Sequence, residues 1–297
     1  MKKILISFAL VIFCIGAFAQ EKKSQEQYVN PLERAASEKL HKCFDLNSAP
    51  LTHSENHSIA ITAHRGYWNC GDAGFAENSI ASLKAAQSIE VWGSEFDVQI
   101  TRDSVMIVNH DNEREGLTIS ETAWSEFEKM KLKNGERPST LGEYLTQGEK
   151  FSTVLVCELK PQKTTDLEIL LTNMAVDTIK SHSLFSPDRV IFISFSYEIC
   201  KHLVRVAPGF TVQYLGGKKS PDELFNDGIN GLDYHHSWFS LHPEWVTRAH
   251  ELGMSVNVWT VNKIEDIQKM IDLKVDCITT NYPLLVRNLL GNKEIRR

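Results

Sequence analysis

The sequence predicts an α/β fold, a (β/α)8 barrel with a small insertion after the hairpin of its second strand, and three observations predict it. From Ile59 onward, short β-branched or apolar runs alternate with longer segments whose apolar residues recur at helical spacing, the pattern of successive βαβ units around a parallel sheet. Nine such runs can be counted, one too many for an eight-stranded barrel, but two of them are separated by only about four residues. A parallel crossover needs a dozen or more residues, so that pair forms an antiparallel hairpin and eight parallel strands remain. Charged and polar residues also collect at the C-terminal ends of the runs, where barrel active sites are built.

The first segment of the chain lies outside this fold. Lys2 and Lys3 precede an apolar run from Ile4 to Phe18, and Ala17 and Ala19 flank Phe18. This is the pattern of a secretory signal peptide, residues 1–19, cleaved after Ala19. Roughly fifteen apolar residues fall short of the ~20 that span a bilayer, so the sequence predicts export to the bacterial periplasm and no stable membrane anchor. Residues 20–58 form a polar N-terminal extension, with a short helical pattern (Leu32, Ala35, Ala36, Leu40) after Pro31.

The barrel domain is expected over residues 59–290. Its strands are read at Ile59 to Ala63, Val91 to Asp97, Val105 to Asn109, Thr153 to Glu158, Val190 to Ser194, Thr211 to Leu215, Gly231 to Tyr234, Ser255 to Trp259 and Asp276 to Thr279. The second, continued to Ile100, and the third form the hairpin, joined by about four residues. A turn centred on Arg102 and Asp103 pairs residue n with 205 minus n, which sets Glu95 opposite His110. Residues 112–150 are longer than a barrel connection requires and read as the insertion, closing with a helix near Thr140 to Gln147.

Composition narrows the function. Of 297 residues, 42% are hydrophobic and 24% charged, as in an ordinary globular chain. The net charge is −6, and the processed chain keeps 30 basic against 38 acidic residues, about −8, which disfavours a nucleic-acid partner. Six cysteines become five once Cys14 leaves with the signal peptide, an odd number that cannot all pair. Cys157 is read as a small buried apolar residue, and Cys43 with Cys70 as the candidate disulfide.

The strand ends supply the chemistry. Strand one carries Thr62 and His64 on one face, followed by Arg65 and Gly66. Strand two ends in Glu95 and Asp97, whose i, i+2 spacing sends both carboxylates to the same side, and the hairpin returns His110 and Asp111. Strand four ends in Glu158 and Lys160, and Trp259 closes a later strand. Three carboxylates converging on one mouth repel unless a cation neutralises them, and a hard divalent ion, Ca²⁺ or Mg²⁺, held by Glu95, Asp97 and Glu158 would do so. The competing arrangement is an ion-pair lattice with Arg65 and Lys160. Arg65 can fork onto phosphate oxygens and Lys160 adds a point charge, while His64 and His110 have the chemistry to move protons to and from a phosphodiester. Other readings of the same residues stand beside this one. A barrel glycoside hydrolase could use Glu95 and Glu158 with Trp68 or Trp259, a phospholipase-like enzyme could act on intact lipids, and a non-catalytic protein could simply bind an anion.

In order along the chain, His64-Arg65-Gly66, Glu77-Asn78-Ser79, Glu95-Phe96-Asp97-Val98, Thr101, Asp103, His110-Asp111, Glu158-Leu159-Lys160-Pro161 and Trp259 resemble the glycerophosphodiester phosphodiesterase family. The resemblance runs from about Ile59 to Pro283 and includes Ser139 to Leu145. It implies a TIM barrel with an insertion that releases glycerol 3-phosphate and an alcohol from a small glycerophosphodiester substrate. It further implies Glu95, Asp97 and Glu158 as ligands of one divalent cation, Ca²⁺ or Mg²⁺, His64 and His110 as the acid/base pair, and Arg65 and Lys160 as the phosphate clamp. Trp259 and Glu77 join them as substrate-binding residues, Asn78 is read as capping the next helix, and a substrate hydroxyl attacks first to give a cyclic phosphate. The chain departs from the family pattern in a longer link between Gly66 and Glu77, in Ala76 where proline is common, and in Asn281 where aspartate is common.

Overall fold

Residues 59–294 are described by the computed structural model. The expected signal peptide, the expected N-terminal extension and Cys43 lie outside these residues.

The parallel strands are β1 (Ala60–Ala63), β2 (Gly93–Ile100), β6 (Val154–Leu159), β7 (Val190–Ser194), β8 (Thr211–Tyr214), β9 (Gly231–His235), β10 (Ser255–Trp259) and β11 (Cys277–Thr280). Each is hydrogen-bonded to the next, and pairing of β1 with both β11 and β2 closes the barrel. A (β/α)8, or TIM, barrel is the result. Strand β3 (Met106–Val108) lies outside it, antiparallel to β2. The short strands β4 (Glu113–Arg114) and β5 (Leu117–Thr118) pair with each other in the segment expected as an insertion.

The helices follow from local signals. Helix α1 (Ile80–Ser88) starts at the capping box of Ser79 and Ser82. After α2 (Trp124–Phe127), helix α3 (Leu141–Gly148) begins at a Thr140–Glu143 capping box where the sequence placed a helix. Helices α4 (Thr165–Ser181), α5 (Tyr197–Val206), α6 (Pro221–Asn226), α7 (His236–Leu241), α8 (Glu244–Glu251), α9 (Ile264–Asp272) and α10 (Pro283–Glu294) complete the outer layer. In α5, Ile199, Cys200 and Leu203 recur at helical spacing and are buried against the barrel. No helix among the described residues is long and apolar enough to cross a membrane.

Strand alternation divides the interior into two unlike halves. Outward residues such as Phe96, Leu155, Phe192, Val212, Leu232, Val256 and Ile278 build the main core against the helices. Inward residues of β6 to β8 form a second apolar cluster, Val154, Val156, Ile191, Ile193 and Leu215, with Trp259 packed on it. Around the rest of the interior the inward side chains include many that are polar and buried: Thr62, Glu95, Asp97, Glu158, Gln213, Asp233, Asn257 and Thr279. A barrel interior filled only for stability would be apolar throughout, so the polar half marks where the chemistry lies.

The hairpin register differs from expectation. Val98 pairs with Val108, Gln99 with Ile107 and Ile100 with Met106, so partners sum to 206 rather than 205. The turn holds three residues, Arg102 to Ser104, with Thr101 N–H bonded to Val105 O at 2.9 Å and Ser104 in the left-handed region at φ 63°. That is the three-residue hairpin geometry, which an even two-residue loop cannot reproduce. Asp97 therefore faces Asn109, whose N–H donates to Asp97 O at 3.0 Å, and His110 does not sit opposite Glu95. Cys70, Cys157, Cys200 and Cys277 are all buried, and no disulfide joins any two of them.

Candidate active site

The barrel mouth is assembled around the end of β1. Arg65 has φ 53° and Gly66 φ 75°, so two consecutive residues take the left-handed conformation. A Cβ on Gly66 would lie 2.7 Å from the Ser82 carbonyl carbon, which leaves room only for glycine. This reversal aims the Arg65 N–H at Glu95 Oε2, 2.7 Å away, and carries its guanidinium over the mouth to Glu77 Oε2 at 2.9 Å. Arg65 Nε lies 3.9 Å from Asp97 Oδ2 and is buried without a hydrogen-bond partner.

Strands β2 and β6 bring Glu95, Asp97 and Glu158 together because Asp97 and Glu158 are direct neighbours in the parallel register. All three are buried, and one carboxylate oxygen from each lies within 4.8 Å of the other two. Lys160, also buried, reaches Asp97 Oδ1 at 3.1 Å and Glu158 Oε1 at 2.7 Å. The Glu158 contact is a buried ion pair that seats Oε1 against the ammonium. Burial, then the Asp97 and Glu158 charges, push the Glu95 carboxyl well above its usual range. Burial and Asp97 push Glu158 up to about 8. Asp97 goes the other way: burial would raise it, but Lys160, His110, Asn78 and Arg65 together hold it below the usual carboxylate value. On Lys160, burial is outweighed by Asp97 and Glu158, so the ammonium is held charged.

The predicted ion-pair lattice is thus present, with Lys160 bridging Asp97 and Glu158, yet Glu95 has only a backbone amide and the nearby guanidinium to offset it. A bare acidic triad relieves its repulsion by holding protons. The three clustered carboxylates and the all-oxygen donor set fit a hard divalent cation, which would relieve the repulsion without protons.

Asn78 is placed differently from the sequence expectation. Ser79 caps α1, while Asn78, at φ 53°, donates from Nδ2 to Asp97 Oδ2 at 2.8 Å and accepts from Asp97 N at 3.2 Å. It holds Asp97 by one carboxylate oxygen and by its backbone N–H. The signal was available in principle, since a helix needs one capping residue and Glu77-Asn78-Ser79 offers three polar ones.

His64 and His110 lie near enough to the acids for each to interact with the Asp97 charge. His64 Nδ1 lies 2.8 Å from Asn281 Oδ1, and burial followed by the Arg65 charge brings its ring down to about 4, against the Asn281 hydrogen bond, which acts to raise it. His110 reaches the site because the chain leaves the ladder after Val108, and its charge is among those lowering Asp97. Its Nδ1 is 2.7 Å from Asp111 Oδ1. Beside it opens a cavity of about 260 Å³, lined by Glu77, Asn109, His110, Asp111, Arg114 and two further acids of the insertion.

Across the mouth, Trp259 donates its indole N–H to Asp233 O at 2.9 Å and forms an aromatic wall with Phe195 and His235. Lys160 Nζ lies 5.9 Å from the Phe195 ring, joining that wall to the acids. Phe195 and Asp233 are absent from the sequence-derived set. Asp233 is buried on β9, and burial with the Glu158 charge pushes its carboxyl well up. Its one legible signal was an acid on the inward face of an otherwise apolar strand.

A mouth that places two fixed cations beside a buried acid cluster suits an ester carrying its own negative charge, and the class so defined is a (β/α)8 hydrolase of phosphoric diesters. Residues 64–285 match the model of the glycerophosphoryl diester phosphodiesterase family, and the chain belongs to that family. A glycerophosphodiester phosphodiesterase of Caldanaerobacter subterraneus is 28% identical over 77% of this chain and 97% of its own. The crystal structure of a glycerophosphodiester phosphodiesterase from Parabacteroides distasonis superposes with a TM-score of 0.77 at 39% identity, over 80% of this chain and 98% of that one. A phosphodiesterase from Oleispira antarctica, solved with sn-glycerol-3-phosphate as product, shares the fold with a TM-score of 0.68 at 23% identity, over 78% of this chain and 96% of that one. The glycoside hydrolase and non-catalytic readings fall away.

Proposed function

We propose that the chain hydrolyses glycerophosphodiesters to glycerol 3-phosphate and an alcohol, with one divalent cation held by Glu95, Asp97 and Glu158 and with His64 and His110 exchanging protons. The observation that carries this reading is the convergence of three buried carboxylates with a buried lysine bridging two of them and with two histidines near enough to interact with the Asp97 charge. A bound Ca²⁺ or Mg²⁺ would supply positive charge against the phosphoryl oxygens as negative charge grows there. Arg65 and Lys160 act on the same oxygens, Arg65 from the rim and Lys160 from below. Glu77 steadies the Arg65 guanidinium, and Trp259 lines the substrate's apolar edge.

His64, neutral near pH 7, accepts the proton of the glycerol hydroxyl next to the phosphate as that oxygen bonds to phosphorus. The bond from phosphorus to the departing alcohol breaks, and His110 gives that oxygen a proton. Water then opens the cyclic phosphate with the two histidines in exchanged roles. The signal-like residues 1–19 support export, and with it a periplasmic reaction on small phosphodiesters.

The test is hydrolysis of glycerophosphocholine, glycerophosphoethanolamine, glycerophosphoinositol and intact phospholipid with chelator, Ca²⁺ or Mg²⁺. Glycerol 3-phosphate should appear from the water-soluble diesters, pass through a trappable cyclic phosphate, vanish with chelator and return with one of the ions. Turnover indifferent to chelation would remove the metal from this reading, and solvent oxygen entering with no cyclic species would remove the first step.

A further inference from the structure

We infer that Asn281 is a positioning residue that fixes the tautomer of His64, holding the proton on Nδ1 and leaving the Nε2 lone pair free to act as the base. This rests on the role given to His64 above. The observation is that two side chains converge on one atom: His64 Nδ1 at 2.8 Å and Trp68 Nε1 at 3.3 Å from Asn281 Oδ1.

An indole N–H can only donate. The Asn281 atom facing Trp68 must therefore be its acceptor, the amide oxygen, because the flipped amide would set NH₂ against N–H in a half-buried place and leave both unsatisfied. Once that atom is an acceptor, the His64 nitrogen beside it must be a donor. The choice between the two neutral forms of the ring is thus made by Trp68, acting through Asn281. Burial and the Arg65 charge keep the ring neutral, so Nε2 carries no proton.

The backbone keeps the amide in place. Asn281 follows β11, whose Thr280 pairs with Ala63, and His64 N donates to Thr280 O at 3.0 Å, so His64 and Asn281 leave adjacent strands side by side. Asn262 Oδ1 accepts from Asn281 N at 2.9 Å and from the Thr280 hydroxyl at 3.1 Å. A carboxylate at position 281 would accept the same hydrogen bond but would also favour the imidazolium, which cannot accept a proton. The amide orients the ring without charging it.

The test uses the intact protein. Long-range ¹H–¹⁵N correlation of ¹⁵N-histidine-labelled protein, with the His64 signal identified by its loss in His64→Gln, should show protonated Nδ1 and unprotonated Nε2 at neutral pH. A His64 signal protonated on Nε2 alone overturns the inference whatever the kinetics. Asn281→Leu, which removes the acceptor at similar size, should lower kcat by about 10²-fold or more with KM little changed. Asn281→Asp, which keeps the acceptor but favours the imidazolium, should keep the Nδ1–H, move the acid limb of the kcat–pH profile upward, and come within about 10-fold of the natural kcat once the pH is high enough to free Nε2. A folded Asn281→Leu protein with near-normal kcat also overturns it. The assignment of His64 as base fails separately, through full turnover by folded His64→Gln.

Discussion

At the scale of single residues, Asp97 is the most heavily held group in the mouth. Asn78 clips it on two atoms, Lys160 binds its other oxygen, and Arg65 stands above it. That restraint explains why its carboxyl alone of the three is held below its ordinary value: four favourable neighbours outweigh burial, whereas Glu95 and Glu158 face each other's charge or that of Asp97. His110 is the opposite case, a partly exposed ring with one carboxylate partner. Its removal should cost chemistry rather than fold. His110→Ala is expected to lower turnover by about 10²- to 10⁴-fold while leaving the thermal midpoint and any affinity for Ca²⁺ or Mg²⁺ near those of the natural protein. Kinetics, thermal denaturation and calorimetry on one preparation check this, and near-normal turnover in the folded variant would take His110 out of the mechanism.

At the scale of elements, the turn from β1 into α1 does more for the site than either element. It reverses direction in two residues, presents Arg65 to three acids, and lets the Ser82 hydroxyl return to Arg65 O at 3.1 Å. Gly66→Ala adds a Cβ at an unfavourable positive φ and against Ser82 backbone, and should cost about 1–3 kcal/mol. The thermal midpoint should fall by several degrees and kcat/KM should fall with it, since Arg65 must move. An unchanged midpoint would show that α1 gives way without cost. The hairpin teaches a related lesson about legibility. Its existence was readable from a four-residue gap, but its register was not, because a left-handed Ser104 adds one residue to the loop and ordinary residues adopt that conformation only when their surroundings hold them there. Here Asp103 does so, accepting from the Thr101 hydroxyl at 2.7 Å and from Trp124 N at 2.9 Å.

At the scale of the whole molecule, the barrel stores electrostatic repulsion in its polar half and offsets it with apolar packing elsewhere. The acid triad gives this a pH signature. Glu95 and Glu158 titrate near 4.5 when unfolded and higher when folded, Glu158 at about 8. The folded state therefore holds more protons between those values, and their contribution to stability is full below about 4.5 and lost as pH rises through 8. Chelator-treated protein should lose thermal stability from about pH 5 to about pH 8.5, and saturating Ca²⁺ or Mg²⁺ should cancel the loss, with a stabilisation that grows with pH because the ligands must be deprotonated. Thermal melts across that range decide it. An ion-induced shift independent of pH would mean the cation binds elsewhere.

The sequence by itself determined the order of strands and helices, the hairpin, and the identity of the acids, cations and histidines at the strand ends. These are local properties: alternation, helical spacing, loop length and the chemistry of each side chain are carried along the chain. Only the tertiary structure decided who holds whom. That Asn78 grips Asp97 instead of capping α1, that Lys160 bridges two acids, that Asp233 lies buried beneath the mouth and that Asn281 meets both His64 and Trp68 depend on the closing of β1 against β2 and β11. Those contacts join residues as far as 217 positions apart, and the energy of each depends on burial and direction, which exist only once the barrel has closed.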